Sequence, residues 1–472
     1  MRTVLVSIAA TLLLSVSARA EISSLHVYGT GTPGTANVEP RISTYGSAFL
    51  GNPQFAVRLT AGLPNSTAFL LVGAQKVDVA SSFHINVLPF YVSPPLPTGP
   101  SGELIVPLAI PAQPALVGFS AFFQWAVNDP VTAFGISASK GLEALLVDPP
   151  LVVTAGSQNA TVHPLNTIDP LSGTAATLPQ SWTHPGDVEF TRDGTRLVLA
   201  SETGQAFLIV DAATGSVDKS VPISSSANAV AITPDGKRAY GASYGSGSTA
   251  GEIVEIDVDP ASPTYGTILG QVALGVPAAQ LEGASVSADG KTLAVASLGF
   301  SQTSYVVLVD VDPASPARNT VKNVISGAGL WADVALSPDG SIAYVPQASL
   351  GTAGSTLFLY DTTTGLPLAV ATGLGNFATD IDVTRDGKAV FVATPNSDAI
   401  SRVEVDPTNP TYLSVTTATS LAKAFSLALS PDESEVWVAC QHGPVHRLDA
   451  GTLGLLQSFT VNPNAGSGIS VR

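Results

Sequence analysis

The residues best suited to chemistry are polar side chains that recur at one place in a repeated segment. Counting six residues back from each of a series of Asp-Gly or Asp-Glu dipeptides gives Asp187, Ala229, Gly283, Asp333, Asp380 and Ser426, and one residue earlier stand Asn228 and Glu282. Carboxylates gathered from several repeats repel one another, and a hard cation bound through oxygen ligands relieves that repulsion. Asn228, Glu282, Asp187, Asp333 and Asp380 are therefore the candidate ligand set for a divalent cation such as calcium. The competing reading is a wet funnel of solvated polar groups, hydrogen-bonded to the loops around them.

Other chemical patterns carry less. Gly29-Thr-Gly-Thr-Pro-Gly34 has the spacing of a dinucleotide fingerprint, yet Pro33 and the polar residues after it open no helix on which a pyrophosphate could rest. Gly241-Ala-Ser-Tyr-Gly245 has the spacing of a nucleophile elbow but runs into a Gly/Ser-rich connection without a strand-to-helix turn. His184, His442 and His446 lie on strand-and-turn segments, where a spacing of four does not put two rings on one face. The single cysteine, Cys440, rules out an intrachain disulfide and a Cys-x-x-Cys-His haem attachment; at the end of Val436-Trp-Val-Ala439 it reads as a small buried hydrophobe. No catalytic or cofactor-binding residue is assigned.

The Asp-Gly dipeptides begin at Asp193, Asp235, Asp289, Asp339 and Asp386, with a degenerate Asp432-Glu433 last, and each follows an alternating apolar strand. Successive anchors lie 42 to 54 residues apart, the length of one four-stranded propeller blade. Six units are complete. Two pieces are left over, residues 151–180 with the character of outer strands and residues 468–472 with that of an inner one, and joined they make a seventh blade that closes the ring. Turns such as Thr233-Pro-Asp-Gly-Lys237 and strands such as Ala389-Val-Phe-Val-Ala393 resemble the YVTN-type repeat of lactonase-like seven-bladed propellers, over about residues 150–472. That resemblance implies the fold; the superfamily mixes lactonases with surface and binding proteins. In gluconolactonase-like propellers a similar Glu/Asn/Asp set holds a catalytic metal, and Glu282, Asn228 and Asp333 match it by position.

Ahead of the repeats, residues 1–20 read as a signal peptide, with Met1-Arg2, an apolar stretch and Ala18-Arg19-Ala20. Residues 21–148 hold short strands punctuated by Gly and Pro and read as a β-sandwich, with residues 149–472 as the propeller. Gly29–Gly34 together with residues 119–130 resemble an uncharacterised β-domain found at the N-terminus of secreted proteins of environmental bacteria, which implies no activity. With 36 acidic and 20 basic residues the net charge is −16, which disfavours nucleic acid as a partner. No later segment offers an uninterrupted membrane span. The expectation is an all-β, secreted or periplasmic protein that binds an extracellular or periplasmic ligand, protein or glycan without catalysis. The alternative is a lactonase-like hydrolase using a divalent cation in the propeller funnel.

Overall fold

The computed structural model describes residues 25–45, 48, 50, 55–79, 85–111, 113, 116, 118–146, 152–156, 163–169, 174–182, 185–192, 194–202, 204–212, 214–245, 251–274, 280–298, 303–348, 354–441, 443–461 and 465–471. The signal segment, the expected mature start at Glu21, the junction at Asp148-Pro149-Pro150, and His184, Asp193, His442 and Arg472 lie outside the described residues. The chain divides into two compact units, Met1–Pro150 and Leu151–Arg472. Among the described residues regular structure is nearly all strand, and no helix is long and apolar enough to cross a membrane.

In the first unit, one sheet carries the strands Leu25–Tyr28, Gly141–Leu145, Ser120–Asn128, Thr67–Val79 and Ile85–Val92 in that spatial order, and a second carries Arg41–Tyr45, Ala56–Thr60 and Leu104–Pro107. Both sheets turn apolar side chains onto one shared core, with Val57, Leu59 and Val106 from the smaller sheet and Leu70, Phe123 and Trp125 from the larger. The Gly29–Gly34 stretch has a steric explanation. A Cβ on Gly29 would fall 2.1 Å from Asn86 Oδ1 and one on Gly34 2.1 Å from Asp129 Oδ2, so both glycines permit close approach of a neighbouring side chain.

The second unit holds seven antiparallel sheets among the described residues, six of four strands and one of five. In chain order their inner strands are Pro185–Phe190, Ser226–Ile232, Leu281–Val286, the broken pair Leu330–Trp331 and Ala335–Leu336, Asp380–Val383, Ala424–Leu429 and Ala465–Val471. They are called here the first to seventh inner strands. The seventh pairs antiparallel with Val152–Gly156, and its register opposes Val152 to Val471, 319 positions away in sequence, and Thr154 to Ile469. Each inner strand neighbours the next, and the seventh neighbours the first.

Local chemistry builds the sheets. Second strands such as Thr292–Ser297, Ala389–Thr394 and Glu435–Cys440 are buried at every position, as continuous β-branched and small apolar runs should be when both faces are covered. The turn between first and second strands repeats one device. The Asp carboxylate accepts a hydroxyl two residues earlier and an amide two residues later: Thr233 Oγ1 at 2.6 Å and Lys237 N at 3.0 Å on Asp235, Ser337 Oγ at 2.7 Å and Ser341 N at 3.1 Å on Asp339. The glycine that follows has φ of +69° at Gly236 and +68° at Gly340 and Gly387. In the degenerate turn Glu433 takes the same left-handed conformation, φ +57°.

Candidate ligand-binding channel

The seven inner strands surround a cavity of about 1030 Å³ lined from every one of them. An inner strand has one edge paired within its sheet and one facing this channel, where its amide N–H groups need acceptors. For the second, fifth and sixth inner strands, carboxylates of the preceding inner strand supply them. Asp187 Oδ2 on the first strand accepts from Val230 N of the second at 3.0 Å, and two residues on Glu189 Oε2 accepts from Ile232 N at 2.8 Å. Asp333 Oδ2, in the break of the fourth strand, accepts from Ile381 N of the fifth at 3.1 Å. Asp380 and Asp382 on the fifth reach Leu427 N and Leu429 N of the sixth at 2.8 and 3.0 Å. At the closing seam a hydroxyl does this work, Ser470 Oγ accepting from Phe190 N at 3.1 Å.

The other oxygen of each aspartate folds back onto the next amide of its own strand, from Asp187 to Val188 and Asp333 to Val334, both at 2.8 Å, and from Asp380 to Ile381 and Asp382 to Val383, both at 2.7 Å. These are charge-assisted bonds to backbone donors, stronger than neutral ones. Four aspartates therefore bridge adjacent strands with both oxygens engaged. Glycine makes room for one of them, since a Cβ on Gly283 would lie 1.9 Å from Asp333 Oδ1.

Glu282 is held differently. It leans back toward the second sheet, where Tyr244 OH donates to Oε1 at 2.5 Å and Asn228 Nδ2 donates to Oε2 at 2.7 Å and to the Leu281 carbonyl at 3.1 Å. Ser426, which occupies the aspartate position of the sixth strand, is buried and its hydroxyl has no hydrogen-bond partner among the described residues.

Charge in the channel is one-sided. Of the described lining residues Arg385 is the only basic one, against Asp187, Glu189, Glu202, Glu282, Asp333, Asp380 and Asp382. The inner-strand carboxyls are half-buried, open to the channel but enclosed by protein elsewhere. Burial raises the pKa of Asp187 and Asp382 against the pull of their amide bonds, and raises that of Glu282 against its bonds from Tyr244 and Asn228. Burial, followed by the charge of Asp187, holds Glu189 well above the ordinary carboxyl range. Asp333 and Asp380 form a hydrogen-bonded pair: burial and then the Asp380 charge push Asp333 well up, and burial pushes Asp380 up to about 6. Such a pair holds one proton between two carboxyls.

The expected metal set thus lies in one channel but faces two ways. Asp187, Asp333 and Asp380 turn forward onto backbone amides, whereas Glu282 and Asn228 turn to each other. Asn228 presents its donor nitrogen rather than its oxygen to Glu282. Among the described residues no three His, Cys, Asp or Glu side chains converge as a metal centre requires. The donors already bound to these oxygens do not fit inner-sphere coordination. Glu189, Asp382, Ser470 and Tyr244 were not singled out by counting back to one position per repeat. The signal for two of them was in the strand period, because Glu189 and Asp382 follow Asp187 and Asp380 by two residues and share their face.

Away from the channel the other candidates are structural. Ser243 of the Gly241–Gly245 stretch bonds Ser225 Oγ at 2.7 Å and the Glu252 backbone. Cys440 is buried and its thiol is pushed up to about 12 by that burial, which leaves it without nucleophilic character. His446 is buried, its Nδ1 lies 2.8 Å from Ser458 Oγ, and desolvation lowers its pKa.

No protein-family model matches the sequence, and no curated protein does. Among solved structures, hydrazine synthase of Kuenenia stuttgartiensis is similar, with a TM-score of 0.50 and 18% identity over 61% of this chain and 89% of that chain. At that identity the likeness concerns the fold alone, and it supports a propeller-like array of antiparallel sheets.

Proposed function

We propose that residues 149–472 form a seven-bladed β-propeller of the YVTN type, closed by a composite blade, in an exported protein whose acidic channel binds a cationic ligand without transforming it. The observation that carries this reading is the double engagement of the channel aspartates. Their lone pairs are largely spent on holding neighbouring strands together, yet their charge still faces a space large enough for a small organic or hydrated cation. A group fixed in this way contributes field rather than proton transfer or chelation.

The test is thermal unfolding of the mature protein with spermidine, calcium or sulfate, at low salt and with Asp382→Asn and Glu189→Gln beside the wild type. Spermidine should raise the melting temperature through preferential binding to the folded state, the neutralised variants should respond less, and sulfate should do nothing. Equal responses to spermidine and sulfate, or none to either cation, would remove the reading. A second reading, a lactonase-like hydrolase using a divalent cation, draws on Glu282, the channel carboxylate bound to side chains rather than to inner-strand amides. It requires a calcium-specific shift that Glu282→Gln abolishes, together with lactone hydrolysis.

A further inference from the structure

The first unit holds a cavity of about 80 Å³ between its two sheets, and its chemistry is the opposite of the channel's. We propose that it is a binding site for a small apolar molecule or the end of an alkyl chain, entering between the sheets of the N-terminal unit.

The cavity arises from a specific pairing. Ala121 and Ala144 stand directly opposite each other on adjacent strands of the larger sheet, two pairs along from the bulky couple Phe123 and Leu142 and so on the same face. Two methyl groups there leave the depth that two large side chains would fill, and both alanines line the cavity. Phe55, just ahead of the strand Ala56–Thr60, and Leu70 from the larger sheet are fully buried in its wall. Interiors of folded domains hold few voids larger than a water molecule. Water gains little here: the lining is apolar, and the one hydroxyl in the buried wall, Ser93 Oγ, is already committed, accepting from Leu70 N at 2.9 Å and donating to the Pro94 carbonyl at 2.9 Å.

The same features select the occupant. A polar ligand would surrender its hydrogen bonds to water and find none in return, whereas an apolar one of a few carbons exchanges water for close contact. Val72, Tyr91, Leu108, Pro111 and Phe119 are only half-buried, so part of the wall is open to solvent. This site lies wholly in the first unit and does not depend on what the channel binds.

The experiment is thermal unfolding of the whole mature protein with toluene and n-hexane as free apolar molecules and with hexanoate as a chain bearing a polar head. Benzyl alcohol and propanoate serve as the more polar counterparts. Toluene or hexane should raise the melting temperature of the wild type by a few degrees and leave Ala144→Leu, which fills the cavity, unmoved. Stabilisation by hexanoate as well would identify a chain end as the natural form, and stabilisation by the free hydrocarbons alone a free molecule. Ala121→Val provides a milder filling variant if Ala144→Leu does not fold. If the filling variants are stabler than wild type while no apolar probe shifts the wild type, the cavity is a packing void and the proposal fails.

Discussion

A proton shared by Asp333 and Asp380 changes stability with pH in a direction that can be measured. Both folded-state pKa values lie above the ordinary value of 3.8, with Asp380 at about 6, so between these values the unfolded chain has released protons that the folded protein keeps. Stability from this pair is fully present below about pH 4 and falls as pH rises, through about 6 for Asp380 and at higher pH for Asp333. His446 acts in the other direction, because its lowered pKa costs stability as pH falls below its ordinary value of 6.5. Asp333→Asn tests the assignment. The asparagine amide can donate to Asp380 where the shared proton did, and Ile381 N keeps Asp380 Oδ1 at 2.7 Å. Between pH 4.5 and 8 the variant should lose part of the downward slope in melting temperature and at pH 8 should match or exceed the wild type by about 1 kcal/mol, screened from a larger value by channel water. A variant that keeps the wild-type slope would transfer the effect to Glu189 or to Glu433, which burial pushes up to about 7.

The turn and the strand were the elements best written in the sequence. An Asp-Gly pair after an alternating apolar run fixes a left-handed residue and a hairpin by local sterics, and local sterics need no knowledge of the rest of the chain. The repeat also marked where the channel polar groups begin. It did not reveal which way each side chain turns: Glu282 stands one residue earlier in its repeat than Asp333, at an irregularity between Leu281 and Gly283, and meets Tyr244 and Asn228 where Asp333 meets an amide N–H. Nor did it show the break in the fourth inner strand around Asp333. Two glycines separate the local cost from the tertiary one. Gly290 and Gly387 have φ of +71° and +68°, but a Cβ on Gly290 would rest 3.5 Å from Pro234 Cδ, whereas one on Gly387 would press to 2.9 Å on Pro338 Cδ. Gly290→Ala should cost about 1 kcal/mol from the backbone alone, and Gly387→Ala about 2–3 kcal/mol because a proline ring yields little. Urea unfolding of both would decide it, equal losses placing the whole cost in the backbone.

At the scale of the molecule the second unit depends on its two ends meeting. The strand Ala465–Val471 completes the sheet begun at Val152, and Ile469 joins Ile168, Trp437 and Phe459 in the core that ties the seventh sheet to the sixth. Ser470 adds the bond to Phe190 across the seam. Removing residues 468–472 therefore strips one ladder, one buried aliphatic side chain and one seam bond together. Truncation should lower stability by well over the cost of either point change, with Ile469→Ala at about 2–4 kcal/mol and Ser470→Ala at about 1 kcal/mol. The exposed inner edge of Val152–Gly156 should also make the truncated protein associate with itself, which sedimentation would detect. A synthetic peptide of residues 468–472 offers the decisive control, because the vacated place has a fixed register and an apolar pocket for one side chain. Added in excess it should restore both the melting temperature and the monomer, and a version with Ile469 replaced by Asp should restore neither. If truncation leaves the melting temperature unchanged, the C-terminal strand is an ornament and the ring is held by the other six sheets alone.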